Sequence, residues 1–515
     1  MNNTTARERF TTGTCAAGAM FLMAASVVGF SFGQTTRANQ EPLSGRTGQS
    51  GSVTATESPV PGTTTSVNTI NPTIQVQGPY AGSTEGKAVF SGRLSLREAV
   101  ERGLKYNLGA VGVTQAVRQA HGQSRVARSA LLPNLNGYLS ETVEQVDLAA
   151  SGLHFKLPPS LGLSIPSVVG PFNYFDLRAT LTQTVADMTA WNNYRSAKEN
   201  LRANQLSGKD ARDLVVLAVG GAYLQVIAAA ARVNSARAQL ETANALYQQT
   251  AQQRSVGLVA QIDVNRSRIQ MLTEQQRLAS LQNDLGKQKI NLARMTGLPP
   301  NDRYDLIDDV RFAAAPAITL EDALKQAFDQ RSDLKAAEAQ VRAAERSRSA
   351  ARAERLPSLS LTADYGAIGM NPSNAHGTFA VVGSLKFPIW QGGRIEGDIE
   401  QADAALSQRQ AELEDLRGQV EADVRKVYLD LEAARSQVEV ATENLQVTKE
   451  NLNLTRQRYD AGVTDNVEVV QSQESVAGAE LDYINSVFAH NVAKLSLARA
   501  VGQAGDNFAQ FLQTR

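Results

Sequence analysis

Between residues 393 and 459 the chain has no proline and carries a single apolar stripe. Leu413, Leu416, Val420, Val424, Val427, Leu431, Ala434, Val438, Ala441, Leu445 and Leu452 follow one another mostly at steps of three and four, the seam of a coiled coil. At about 1.5 Å per residue this predicts a helix about 100 Å long, far longer than a globular domain can use. The run ends at Tyr459-Asp460-Ala461-Gly462-Val463-Thr464, and helical pattern resumes near Val467. Gly462 suits the position after a last helical turn, because glycine adopts the left-handed conformation at little cost. The chain therefore makes a very long helical hairpin, and its seam needs neighbours.

The same plan occurs twice. Leu94-Ser95-Leu96-Arg97-Glu98-Ala99 matches Ile318-Thr319-Leu320-Glu321-Asp322-Ala323, and Leu132-Pro133 matches Leu356-Pro357, both 224 residues apart. Tyr223-Leu224 matches Tyr428-Leu429, Gly257 matches Gly462, Val264 matches Val469, and Leu292-Ala293-Arg294 matches Leu497-Ala498-Arg499, all 205 apart. The difference of 19 (224 − 205) is extra chain in the first copy between Pro133 and Tyr223. A duplication this regular implies a two-fold repeat in the fold, with copies at 94–299 and 318–503 and a tail at 504–515.

Each copy reads helix, helix, strand, strand, helix, helix. Pro133 and Pro357 stop the helices that precede the strands. Then the period changes to two: Leu359, Leu361, Ala363 and Tyr365 alternate with polar residues, as do Phe379, Val381, Gly383, Leu385 and Phe387, and, in the first copy, Phe175, Leu177, Ala179 and Leu181. These are two-faced strands, expected at about 134–146, 173–185, 358–367 and 378–390. Pro388 leads the second copy back into helix; Thr184 stands at the matching place in the first. The extra residues fall in the first copy's hairpin loop, around 151–171, where four prolines argue against a strand. Residues 214–231 are apolar enough to suggest a membrane span, yet their repeat mate, 419–436, is rich in charge. A helix buried on several sides is the better expectation, with Gly220-Gly221 allowing close contact.

Composition narrows the function. The 515 residues carry a formal net charge of +0, which argues against nucleic acid as a partner. Cys15 is the one cysteine, so no internal disulfide framework is possible. His121, His154, His376 and His490 are scattered, which predicts no metal site. No nucleophile–base set, carboxylate pair or phosphate-binding glycine loop suggests an enzyme, and no cofactor is expected. Arg7 and Arg9, the apolar run from 16 to 32, and Ser31 and Gly33 before Gln34 read as a secretory signal over 1–33; a retained anchor is the other reading. Residues 34–93 are rich in Ser, Thr, Gly, Pro and Gln and are expected to be disordered or extended.

Four strands cannot close a barrel, and an open sheet edge is not tolerated in lipid. Three chains would supply twelve strands and would also give the helical seams their neighbours. The paired repeat, Leu-Pro before the first strand of each copy, Phe-Pro-Ile-Trp-Gln-Gly-Gly at 387–393 and Gly-Leu-Val-x-x-x-Asp-Val at 257–264 resemble the outer-membrane efflux, or TolC-like, family. The resemblance covers about 94–502. It implies a mainly α fold with a β-barrel: a homotrimer with a twelve-stranded transmembrane barrel in the outer membrane of a bacterial cell and a long antiparallel coiled-coil α-helical barrel forming a periplasmic tunnel. It further implies partners, namely a periplasmic adaptor (membrane fusion protein) and an inner-membrane pump, in a tripartite efflux or type I secretion system. A periplasmic coiled-coil adaptor or structural protein is the alternative; it leaves the alternating strands and the aromatics Tyr174, Phe175, Phe387 and Trp390 unexplained. The resemblance places adaptor contacts at the turns Gly257, Leu258 and Val259 and Gly462 and Val463. It makes Asp263 and Tyr459 a gate link and Glu468 a rung of an acidic ring, with Gln471 at the second rung and Thr464 where the family carries arginine. Helix capping is the competing role for Asp263 and Glu468. The cargo is not legible.

Overall fold

The computed structural model of the protein describes residues 52–60, 69–84, 90, 92–150, 152, 166–300, 304–308, 312–316 and 318–512. The expected signal lies outside the described residues, as does most of the loop expected at 151–171. Two compact units make up the described chain: residues 136–180 with 364–380, and the remainder of the described residues from 52 to 512.

The second unit is helical. Helix α1 (Leu96–Tyr106) and α2 (Leu108–Ser129) precede β4 (Asn134–Asp147). After β5 (Val168–Ala186) come α3 (Met188–Ser255) and α4 (Gln261–Thr296). The second copy repeats this with α5 (Leu320–Gln330), α6 (Ser332–Ala353), β7 (Ser358–Gly369), β8 (His376–Lys386), α7 (Arg394–Asp460) and α8 (Asn466–Ala500), and α9 (Ala504–Leu512) follows. The paired helices α1 and α5, and α2 and α6, are displaced by 224 residues at both ends. Helix α7 has 67 residues and α3 has 68, so each is about 100 Å long.

Caps mark the helix starts. Ser95 accepts from the Glu98 amide and Thr319 from the Asp322 amide, satisfying first-turn N–H groups that have no helical partner. The two strand-to-helix junctions differ. Residues 387–393 form an irregular turn before α7, with Gly392 and Gly393 at φ +61° and +83°. In the first copy Asp187 alone separates β5 from α3, its carboxylate accepting from Thr189 and Ala190. An N-cap aspartate thus does what the proline turn does in the second copy.

The core runs along α3 and α8. Val215, Val216, Val219, Tyr223, Val492 and Leu495 are fully buried. Among the described residues α3 is the one helix long and apolar enough to cross a membrane, and most of its apolar window is buried inside the bundle. Gly220 and Gly221 are part of the reason. A Cβ on Gly220 would lie 2.8 Å from Leu495, and one on Gly221 would lie 1.8 Å from Ile74.

Ile74 belongs to an element not expected from the sequence. Strand β1 (Val53–Val60) pairs antiparallel with β2 (Thr69–Val76), from Val53 opposite Val76 to Val60 opposite Thr69. The expectation of disorder over 34–93 is corrected for these residues. The segment has too few apolar residues for a core of its own, but Val53, Ala55, Ile74 and Val76 join the core of α3 and α8. A second short pairing, β3 (Arg93–Leu94) with β6 (Asp305–Leu306), is parallel and joins the start of the first copy to the segment after it.

Charges are also buried here. Arg331, only 5% exposed, binds Asp333 at 2.6 Å and Asp423 at 3.3 Å, and Arg499 binds Asp210. The Gly505 amide donates to Asp213 at 2.6 Å. Burial pushes the Asp210 carboxyl up to about 6, against the opposing pull of Arg499.

The sheet order is β4-β5-β7-β8. Within the first unit Arg178 bridges Asp176 at 3.2 Å and Asp364, on the adjacent strand, at 2.7 Å. Strand bounds differ from expectation at two places. β5 begins at Val168 and takes in Pro171; Gly170, at φ +116° and with no room for a side chain against Glu144 and Gln145, lets it run close beside β4. β8 stops at Lys386, because Pro388 has no N–H to offer a ladder. Among the described residues β4 and β8 are the sheet edges.

Candidate functional site

The two helix-hairpin turns are built alike. α3 ends with Gly257 at φ +81° and α7 with Gly462 at φ +73°. The Leu258 amide donates to the Gln253 carbonyl at 2.9 Å, and the Val463 amide to the Arg458 carbonyl at 2.9 Å, the six-to-one bond of a glycine-terminated helix. A side chain with a Cβ would meet no neighbour at either glycine, so the requirement there is conformational. Leu258 and Val463 are exposed large apolar residues, and Val259 is half-buried. Pro133 and Pro357 each stand just before a strand, and Pro388 just after one.

Beside the turns, the structure brings the expected gate residues near one another without joining them. The Tyr459 hydroxyl donates to Gln253 Oε1 at 3.0 Å, linking the ends of α7 and α3. Burial raises its pKa, and the charges of Asp263 and Asp460 add to that. Asp263 itself pairs with Arg266 at 3.3 Å, and its carbonyl accepts from Asn466 at 3.3 Å. Glu468 binds Arg458 at 2.8 Å and contacts the Thr464 hydroxyl. It does not cap α8: Asp465 does, accepting from Val467 and Glu468. Ala260 leaves α4 with no side-chain cap, and Asp263 lies in its first turn. Gln471 is exposed. Gln253 and Arg458 were not singled out from sequence, although they are repeat mates at a spacing of 205, and that mating was the available signal. Among the described residues no cluster of three or more His, Cys, Asp or Glu could hold a metal.

The sequence profile of the family described as outer membrane efflux protein matches residues 113–298 and 323–503. The chain belongs to the outer membrane efflux protein family. The two matches fall on the two copies of the repeat. Family membership makes the chain an outer membrane transport protein. Outer membrane protein TolC of Vibrio cholerae is 24% identical over 391 residues, 73% of this chain and 83% of that protein. Outer membrane protein OprJ of Pseudomonas aeruginosa is 25% identical over 430 residues, 80% of this chain and 84% of that one. Among solved structures, the Campylobacter jejuni CmeC outer membrane channel superposes with a TM-score of 0.69 at 18% identity, over 79% of this chain and 86% of that chain. The VceC protein of Vibrio cholerae gives 0.67 at 19%, over 79% and 96%. These channel structures share the fold of this efflux protein.

Proposed function

We propose that three copies of this efflux protein form a channel through the outer membrane, with a twelve-stranded barrel and a helical periplasmic tunnel. Substrates would reach it from an inner-membrane pump through a periplasmic adaptor. The observation that carries this reading is the pair of open sheet edges. Among the described residues β4 pairs only with β5 and β8 only with β7, so each has one open edge, and they expose Leu135, Leu139, Val143, Phe379, Val381 and Leu385. Apolar surface of that extent suits lipid, and unpaired edges in lipid cost several kcal/mol per group. Edge-to-edge closure by further copies pairs those backbone groups and leaves the apolar face to the lipid.

The turns at Gly257 and Gly462 are the proposed adaptor contacts, offering Leu258, Val259 and Val463 as the apolar part of the surface. Asp263, Tyr459, Glu468 and Gln471 are the proposed gate. Its acidic character is reduced, since Glu468 is partly neutralised by Arg458 and position 471 is uncharged. The experiment is membrane fractionation followed by native mass measurement and planar-bilayer recording. A detergent-requiring trimer that opens discrete conductances is expected. Release of a monomer by osmotic shock would overturn the reading.

A further inference from the structure

A connector joins the two copies between α4 and α5, and its described parts include residues 304–308 and 312–316. Two lysines that are repeat mates hold it. Near its start, Lys289 Nζ donates to the Tyr304 carbonyl at 2.8 Å and pairs with Asp305 at 3.4 Å, while the Tyr304 hydroxyl donates to the Lys289 carbonyl at 2.6 Å. The Asp308 carboxylate then accepts from the Leu96 amide at 2.6 Å and from the Tyr223 hydroxyl at 2.8 Å. Near its end, Lys494, 205 residues on from Lys289, donates to the Ala313 carbonyl at 3.1 Å.

The two ends differ in charge. Lys289 has Asp305 beside it. Lys494 is fully buried, and the Ala313 carbonyl is its one hydrogen-bond partner among the described residues. One turn earlier on α8, His490 is 1% exposed, and neither ring nitrogen has a hydrogen-bond partner among the described residues. The Phe312 ring lies against it at 4.9 Å. Leu285 stands at the mate position in the first copy.

The charges that act on His490 are both positive: Lys494 on its own helix and Arg435 on α7, the latter exposed and paired with Glu439 at 3.1 Å. On α3, Gly220 approaches Leu495 and Arg232 bonds Asn485; between those two positions α3 carries no charged side chain, and residues 312–316 carry none either. No described group on α4, α9 or the β1–β2 hairpin adds to them. Burial first, then Lys494 and Arg435, hold the imidazole down to about 4, and burial holds Lys494 down to about 8.

We propose that the end of the connector is an acid-released strap: residues 312–316 lie on α8 while His490 is neutral, and lift from it when His490 takes a proton beside Lys494. A neutral imidazole tolerates the apolar cover. A protonated one, a turn from a buried ammonium and without a carboxylate, gains most by reaching water. The partly exposed Phe312 ring returns little of that. The sign follows from the depressed folded value: the strapped state keeps its full advantage above the ordinary histidine value of about 6.5 and loses it as pH falls toward 4. The first end, held by Asp305 and Asp308, has no such group and stays in place. Every part of the strap belongs to one chain, so its release does not depend on how many copies assemble.

The test is hydroxyl-radical footprinting of the unaltered full-length protein, read by mass spectrometry from pH 7.5 to 4.5. Oxidation of His490 and Lys494 should rise by about tenfold per pH unit between about pH 6 and 4.5, while the buried Tyr304 at the other end stays protected. His490→Leu, the residue the first copy carries at this place, and His490→Gln should each keep Lys494 protected down to pH 4.5. No rise in the unaltered protein overturns the strap. So does an equal rise at Tyr304, which would mean general loosening, or a rise at Lys494 that survives both substitutions.

Discussion

Tyr459 stands at the end of one long hairpin arm and reaches the end of another. Its bond to Gln253 is a neutral link, worth about 0.5–1.5 kcal/mol, so it should respond weakly to salt. Tyr459→Phe combined with Gln253→Ala is expected to raise the single-channel conductance of the purified protein, and an unchanged trace in planar bilayers would remove these residues from the gate. Asp210 makes a second prediction. Its folded pKa of about 6 lies above the ordinary carboxylate value, with burial as the largest cause. A raised carboxyl contributes stability that is full below the unfolded pKa of about 4 and is lost as pH rises through the folded value. Thermal unfolding should therefore show a decline between about pH 4 and 6 that Asp210→Asn flattens; calorimetry across that window checks it. At this scale the sequence was legible where a residue has a repeat mate or a motif, as at Gly257 and Gly462. It was not legible for Gln253 or Asp210, whose roles come from partners 206 and 289 residues away.

The long helices were readable as elements because their apolar stripes and missing prolines act locally. The β1–β2 hairpin was not, because its stability comes from α3 and α8 rather than from its own composition. That makes its contact testable. Gly221→Val should destabilise the protein by about 1–3 kcal/mol, the cost of overpacking, and a variant that also carries Ile74→Ala should recover part of it. Thermal unfolding of the two variants measures this. For the strands, a charge on the lipid-facing midplane costs about 2–4 kcal/mol. Leu361→Arg is expected to reduce the amount of assembled protein in the outer membrane while Thr362→Arg leaves it near the wild-type level. The face carrying Leu359, Leu361, Phe379, Val381 and Leu385 is the one proposed to meet lipid, and equal levels would abolish that assignment.

At the scale of the molecule, two copies of one plan share a single helical bundle; they keep the same glycine turn at the hairpin ends and differ at the strand-to-helix junction, an aspartate cap in the first and a proline turn in the second. Bulky charged residues replacing both Gly257 and Gly462 are expected to abolish pump-coupled efflux while leaving the oligomer intact, as read by drug accumulation alongside native mass; persistent efflux would move the adaptor contact elsewhere. One feature of the bundle also governs how it can be made. Strands β1 and β2, near the start of the chain, pack against α8, near its end. The earliest synthesised of the described strands therefore cannot settle until almost the whole polypeptide has been delivered. Helices that are neighbours in sequence, such as α3 and α4, can pair before that, but the docking site of the hairpin is complete only when α8 arrives, so closure of this loop of about 400 residues is expected late in folding.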